Sequence, residues 1–224
     1  MWVSNSLRSN TMNSFQTTKG KKIVLDLVNM IQTNASYLSE IDGAIGDGDH
    51  GVNMSKGFTL AKKSLAANDV DLYTSLYILG DTLFTEIGGA MGPLYGTFFM
   101  EMAEVCKYKA DIDRQVFGQM LRTAFTGVQD IGGAKLGDKS IIDTLAPATA
   151  AYEEAVANGK MFSEALQDMV QAAERGKEST RNMIAKIGRA SRLGERSRGV
   201  LDAGATSCWL ILTSIANSID DLIS

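Results

Sequence analysis

Three carboxylates fall within eight residues of the chain: Asp42, Asp47 and Asp49. Glycines lie between and beside them, so the backbone can turn sharply and bring the side chains together. Anions this close repel one another, and a hard divalent cation with oxygen ligands would relieve the repulsion. An EF-hand calcium loop is excluded, because no register that starts on these aspartates has a glutamate at its twelfth position. The spacing favours magnesium shared with phosphates, with a solvated acidic turn and paired glycosidase acids as alternatives.

Glycine is concentrated in four short segments of the chain. Sixteen of the 22 glycines belong to them: Gly43, Gly46, Gly48, Gly51 and Gly57; Gly88, Gly89, Gly92 and Gly96; Gly132, Gly133 and Gly137; Gly188, Gly194, Gly199 and Gly204. Glycine loops let backbone N–H groups approach an anion, and a helix that follows such a loop offers its N-terminus to phosphate. Flexible turns are the alternative for any one loop. Four of them together favour phosphate binding.

Helices are the elements that must position these loops. Ile23, Leu27 and Ile31 recur every four residues, which is typical of one buried helix face. Seven further helices are predicted over 52–67, 71–87, 94–107, 111–128, 140–158, 161–183 and 203–222. Strand-like alternation is hard to find, and no linker divides the chain. The sequence predicts one all-α domain over 21–224, preceded by a disordered leader over 1–20.

Composition narrows the function classes. The chain has 224 residues, a net charge of −4, a pI near 5.1 and a mean hydropathy of −0.03. Nucleic-acid binding through a basic field is therefore not expected. The longest uncharged run, 203–219, is interrupted by six hydroxyl and amide side chains, so no membrane span is expected. Cys106 and Cys208 stand alone in apolar runs, which predicts core thiols in a reducing cytoplasm.

Five segments together resemble a known family. They read IGDGDHGVNM at 45–54, GGAMGPLYG at 88–96, GDKSIID at 137–143, LGERS at 193–197 and DAGATS at 202–207. In this order they resemble the nucleotide-binding L subunit of dihydroxyacetone kinase, from about residue 21 to the C-terminus. The resemblance implies a barrel of eight antiparallel helices with the nucleotide at one end, which agrees with the number of predicted helices.

The resemblance also implies roles for individual residues. Asp42, Asp47 and Asp49 would hold two magnesium ions on the phosphates of ADP. Arg189 would lie on a loop that closes over the phosphates and would act in phosphoryl transfer. The implied ADP contacts are His50, Gly51, Val52, Asn53, Gly89, Ala90, Met91, Gly132, Ile141, Arg189, Asp202, Ala203 and Gly204. Many relatives carry serine in place of Met91, and relatives often carry proline in place of Ala203.

Some of these residues also have simpler interpretations. His50 is the single histidine of the chain and could be a turn residue with a local hydrogen bond. Met91 could be a core methionine, in which case the loop would contact a ligand through its backbone alone. The basic run over 186–198, which includes Arg189, could be a solvated charged patch.

The implied activity is a phosphotransferase reaction divided between subunits. A partner subunit would hold dihydroxyacetone, and a phosphohistidine protein of the phosphotransferase system would recharge ADP kept as a cofactor. The expected setting is cytoplasmic glycerol metabolism, and a homodimer is a further expectation. The alternatives are the nucleotide half of an ATP-dependent short-ketose kinase and a non-catalytic ADP-binding regulatory module of the same fold.

Overall fold

The computed structural model describes residues 14–66 and 69–224. Eight α-helices run through this part of the chain: α1 (Lys21–Ile45), α2 (His50–Ala66), α3 (Leu72–Glu86), α4 (Met91–Cys106), α5 (Arg114–Gly132), α6 (Ile142–Ala157), α7 (Phe162–Ser179) and α8 (Ala203–Ile223). Short 3-10 helices cover Thr17–Lys19, Thr180–Asn182 and Arg189–Ser197, and two strands are β1 (Ser14–Gln16) and β2 (Asp111–Asp113). The all-α prediction with eight helices is confirmed.

Side chains that accept hydrogen bonds from the first turn set several helix starts. Asp71 Oδ1 accepts from Thr74 N at 2.9 Å before α3, and Asp113 Oδ1 accepts from Val116 N at 2.8 Å before α5. Helix α4 begins at Met91, three residues before the predicted range, and α2 begins two residues early. Both early starts bring a helix N-terminus directly up to a glycine-rich segment.

The helices form a closed ring. Each packs against the next in chain order, and α8 packs against α1 as well as α7. Successive helices in such a bundle run antiparallel when their connections are short. The connections that follow α1, α3, α5 and α7 therefore lie at one end of the barrel. These are the connections that contain the glycine-rich segments.

A small sheet at the N-terminal side of the barrel was not predicted. β1 pairs antiparallel with β2, with Phe15 opposite Ile112 and both side chains buried. Thr17 Oγ1 donates to Lys109 O at 2.9 Å. The leader predicted over 1–20 needs correction at 14–20, because this segment is folded against the barrel. Its remainder, 1–13, lies outside the described residues.

The same sheet corrects the predicted helix over 111–128. Residues Asp111–Asp113 are extended because they pair with β1, so α5 begins at Arg114 with Asp113 as its N-cap. A strand of three residues is too short to show an alternating apolar pattern, which is why the sequence alone did not reveal it.

A continuous apolar core fills the ring. The predicted face of α1, with Ile23, Leu27 and Ile31, is buried. Phe58 and Phe99 pack edge to face, with their ring centroids 5.9 Å apart. The two cysteines are buried free thiols, as predicted. Within 14–66 and 69–224, the helices lack the combination of length and apolar character that a bilayer crossing requires.

Candidate metal and phosphate site

The three predicted carboxylates converge at the glycine-rich end of the barrel. Asp42 lies on the last turn of α1, and Asp47 and Asp49 lie on the short loop before α2. One carboxylate oxygen from each lies within 4.8 Å of the others, the one group of this kind found among the described residues. The loop turns back because Gly46 N donates to Asp42 O at 2.5 Å and Gly48 adopts φ +77°. A side chain at Gly48 would strain this left-handed conformation.

Arg189 reaches this cluster from the connection between α7 and α8. Its Nη1 forms an ion pair with Asp47 Oδ2 and lies 3.9 Å from Asp49 Oδ2. Its side chain is 61% exposed, and those of the two aspartates are 44% and 47% exposed. The predicted arginine and the predicted metal ligands therefore share one solvent-accessible site, although 140 or more positions separate them in sequence.

The chemistry of this donor set fits a hard divalent cation. All three groups offer carboxylate oxygen, the ligand type that magnesium and calcium prefer. Arg189 supplies one positive charge against three negative ones, so the cluster retains a net negative charge. Because these side chains are partly exposed, a cation could keep several water or phosphate ligands, as magnesium usually does.

His50 turns its side chain away from the carboxylates and into the barrel. Its Nε2 lies 2.8 Å from Ser207 Oγ on α8, and Tyr95 on α4 places its hydroxyl 2.5 Å from the same atom. Burial lowers the pKa of His50 to about 4. The backbone N–H of His50 points the other way and donates weakly to Asp42 Oδ2 at 3.4 Å. His50 therefore presents its backbone, and not its imidazole, to the cluster.

The other predicted contacts on the first turn of α2 differ in exposure. Val52 is 64% exposed at the barrel end, and Asn53 is half-buried. Gly51 is buried against α1, where a Cβ would lie 1.8 Å from Ala35 O. Glycine at position 51 is therefore required by the close packing of two helices, in addition to any role of its N–H group.

The loop before α4 is open to solvent. A Cβ at Gly88 or Gly89 would meet no atom within 4 Å, and Gly89 has φ +72°. Ala90 is exposed, whereas Met91 is half-buried and packs against the core. The Met91 side chain thus follows the core interpretation, which leaves the backbone of this loop facing outward for a ligand.

Gly132 and Ile141 flank the connection between α5 and α6. Gly132 is exposed on the last turn of α5, next to the Leu94 side chain. Ile141 is 6% exposed and belongs to the core, with its backbone close to Gly204. The structure therefore brings these two positions to the same barrel end, but it buries the Ile141 side chain.

The segment that starts α8 has structural contacts of its own. Asp202 Oδ2 accepts from Ala205 N at 2.7 Å and caps the helix. Burial raises the pKa of Asp202 to about 6, although the hydrogen bond from Ala205 opposes the rise. Ala203 packs with Ile41 near the end of α1, and Gly204 O accepts from the Tyr95 hydroxyl at 3.1 Å. These contacts tie the start of α8 to α1 and α4.

Two residues of the GDKSIID segment have roles that the sequence did not reveal. Asp143 is buried, and its carboxylate accepts from Gly137 N at 2.5 Å and from Ser140 N at 2.8 Å. Lys139 is also buried, with its ammonium bonded to backbone carbonyls of the connection that carries Arg189. The spacing of Ser140 and Asp143, three residues apart, is typical of a capped turn and could have indicated the role of Asp143. No local signal marks the burial of Lys139.

Comparisons with known proteins agree on one family. The DAK2 domain family matches residues 44–217. The ADP-binding subunit of PEP-dependent dihydroxyacetone kinase 2 from Listeria innocua is 36% identical over 88% of this chain and 92% of its own length. The ADP-binding subunit of the PEP-dependent dihydroxyacetone kinase from Escherichia coli is 37% identical, over 84% of this chain and 90% of its own.

A solved structure shares the fold. The native dihydroxyacetone kinase of C. freundii superposes with a TM-score of 0.68 at 24% identity, over 91% of this chain. This chain spans 35% of that longer chain, and the likeness concerns the helical barrel alone. The family match covers Asp47 and Asp49, the glycine-rich connections and the start of α8, and it begins two residues after Asp42. The chain belongs to the DAK2 domain family, as a close relative of dihydroxyacetone kinase ADP-binding subunits.

Proposed function

We propose that this chain is the ADP- and magnesium-binding subunit of a dihydroxyacetone kinase. It would pass a phosphoryl group from a phosphohistidine protein of the phosphotransferase system to dihydroxyacetone held on a partner subunit. The observation that carries the proposal is the convergence of Arg189 with three carboxylates at the glycine-rich end of the barrel. The names of the relatives, ADP-binding subunits of PEP-dependent kinases, support the nucleotide and the type of donor.

The carboxylates are the proposed metal ligands. Asp42, Asp47 and Asp49 would hold two magnesium ions, because three anionic groups provide enough oxygen ligands for a pair of cations that also bind phosphate. When bound, magnesium and ADP would supply the phosphoryl carrier and neutralise its charge. The glycines of this loop keep Asp47 and Asp49 on one short turn beside Asp42, so the three carboxylates need little rearrangement to bind.

Backbone N–H groups are the proposed phosphate ligands. The first turn of α2, from His50 to Asn53, and the start of α4, from Gly89 to Met91, each present a helix N-terminus beside a glycine-rich loop. Gly132 and Ile141 would border the base and ribose, and Asp202, Ala203 and Gly204 would contact ADP from the start of α8. Their location at one barrel end supports this assignment.

Arg189 is the proposed catalytic residue. Its guanidinium pairs with a carboxylate at an exposed position, so it can exchange that partner for a phosphate oxygen. Phosphoryl transfer depends mainly on positioning and on neutralising charge that develops in the transition state. Arg189 would do both, and no nucleophile on this chain is required. We place this transfer in the cytoplasm, as part of glycerol metabolism; the two buried free thiols fit a reducing compartment.

The proposal is tested by following the nucleotide during turnover. The full chain is loaded with labelled ADP and mixed with magnesium, the dihydroxyacetone-binding subunit, the phosphodonor protein and excess unlabelled ATP. We expect dihydroxyacetone phosphate to accumulate while the label stays bound through many cycles. Loss of label at the turnover rate would instead identify the nucleotide half of an ATP-dependent kinase. Binding of ADP without any transfer would identify a regulatory module. Light scattering on the same sample tests for a homodimer.

A further inference from the structure

Lys139 is a buried cation with no place in the proposed chemistry. The residue is 2% exposed and lies between α5 and α6, on the GDKSIID segment. Its Nζ donates to Ser197 O and Val200 O, each at 2.6 Å, and lies 3.4 Å from Met183 O. All three recorded acceptors are backbone carbonyls of another connection, the one between α7 and α8.

These carbonyls lie at the two ends of the segment that carries Arg189. We call residues 183–200 the Arg189 loop. Met183 begins it, and Ser197 and Val200 end it, so one ammonium joins its entry to its exit. A second hydrogen bond joins the two ends of the loop: Ser197 Oγ accepts from Ala185 N at 2.9 Å. The Arg189 loop is thus closed at its base by polar contacts centred on Lys139.

Apolar packing contributes little to holding this loop. Within 183–200, only Ala185 and Ser197 are buried, and three glycines of the loop adopt positive φ. A segment with few buried side chains and several flexible positions has low local stability. Polar contacts hold the loop instead: those of Lys139 at its two ends, and the bond that Lys186 N donates to Asp138 O at 3.1 Å.

The geometry suits lysine in particular. A compact ammonium carries three N–H donors, which matches three carbonyls that converge on one point. Lys139 also adopts φ +61°, which a residue other than glycine rarely does. Burial lowers the pKa of its ammonium, and the carboxylate of Asp202 opposes that effect. Position 139 therefore combines an unfavourable backbone conformation with a desolvated charge.

We propose that Lys139 is the positioning residue for Arg189. By joining both ends of the Arg189 loop, it fixes the height and direction of the guanidinium over the carboxylate cluster. This inference rests on the proposed function, because the positioning matters for phosphoryl transfer. The ammonium of Lys139 does not contact Asp42, Asp47 or Asp49. Its removal should therefore affect transfer and spare nucleotide binding.

The test compares Lys139→Met with a matched control, Lys177→Met. Lys177 is also a buried lysine, 5% exposed, but it lies over the Trp209 ring and pairs with Glu178. Single-turnover transfer to the partner subunit and ADP affinity are measured for each. Misplacement of a catalytic group by about 1 Å costs on the order of 10²-fold in rate. We expect Lys139→Met to lose about that much transfer with ADP affinity within about threefold, and Lys177→Met to transfer normally.

A double-variant cycle separates positioning from general damage. Arg189→Ala should lower transfer by roughly 10³-fold or more, as for arginines of this role. If Lys139 acts through Arg189, Lys139→Met should add no further loss to Arg189→Ala, whereas independent effects would multiply. Hydrogen exchange should show faster exchange of amides within 184–196 in Lys139→Met and not in the control.

The outcomes distinguish this inference from the proposed function. Normal transfer by Arg189→Ala, or no transfer by the wild-type chain, would overturn the proposed function itself. A slow Arg189→Ala beside a normal Lys139→Met, or multiplying losses in the double variant, would overturn the role of Lys139. If Lys139→Met does not fold, Lys139→Gln tests the same contacts, because a neutral amide carries only two N–H donors for the three carbonyls. Reduced transfer with normal ADP affinity in that variant supports the role, and unchanged transfer overturns it.

Discussion

At the scale of single residues, the site consists of one cationic side chain beside three anionic ones. Asp42, Asp47 and Asp49 bring three negative charges within 4.8 Å, and the Arg189 guanidinium offsets one of them in the structure. Like charges this close repel one another, and cations beside them relieve the repulsion. The affinity of the cluster for a divalent cation should therefore depend strongly on each of its members.

Asp47→Asn should remove a charged ligand and leave the helices intact. A ligand at 100 times its Kd stabilises the folded state by about 2.7 kcal/mol, which a thermal melt detects. We expect magnesium-ADP to raise the Tm of the wild-type chain and to leave the Tm of Asp47→Asn nearly unchanged. The control is Asp81→Asn, an exposed carboxylate on α3. An undiminished shift in Asp47→Asn would contradict the assignment.

His50 should remain neutral in the folded protein at all pH values from 8 to 5. Burial lowers its pKa from the ordinary 6.5 to about 4, and a cation at neighbouring Asp49 would lower it further. Between about pH 6.5 and about pH 4 the unfolded chain binds a proton that the folded chain does not, so folding stability falls as the pH drops through this range. The loss amounts to at most about 3 kcal/mol.

NMR measures this directly, because the chain has one histidine and so one imidazole signal. We expect that signal not to shift between pH 8 and pH 5. In urea, the unfolded chain serves as the control and should titrate near pH 6.5. A midpoint near 6.5 in the folded protein would show that the imidazole is exposed.

At the scale of elements, the close approach of α1 and α2 holds the carboxylates together. Gly51→Ala would place a Cβ 1.8 Å from Ala35 O, so the helices must separate. Overpacking of this kind costs about 1–3 kcal/mol, and the same shift would move the three carboxylates apart. We expect a lower Tm and weaker binding of magnesium-ADP. Gly88→Ala meets open space without a positive φ and should leave the Tm unchanged. Equal melting of both variants would contradict this packing.

The helices could be predicted from sequence because they are long, at 15 to 25 residues, and so can show a periodic apolar face. β1 could not, because three residues show no period and its pairing with β2 joins positions almost 100 residues apart. The carboxylates could be predicted from their local spacing. The inward turn of His50 and the burial of Lys139 could not, because Ser207 and Ser197 meet them from 157 and 58 residues away.

At the scale of the whole molecule, the two ends of the barrel differ. One end holds the β1–β2 pair and the connections after α2, α4 and α6. The other holds all four glycine-rich segments, the carboxylates and Arg189. A closed ring of packed helices is rigid, whereas the open loops at this end can adjust to a ligand. Binding and transfer are therefore expected to involve loop movement on a fixed barrel.

Native mass spectrometry tests the central claim, that this end of the barrel holds ADP through magnesium at the carboxylate cluster. The full chain is incubated with ADP and magnesium, exchanged into volatile buffer and weighed intact, with Asp47→Asn and a chelator-treated sample beside it. We predict a wild-type mass that corresponds to the chain with one ADP and two magnesium ions. Both comparison samples should return to the mass of the chain alone. A wild-type chain that retains no nucleotide, or an Asp47→Asn chain that retains ADP and both ions, would contradict the account.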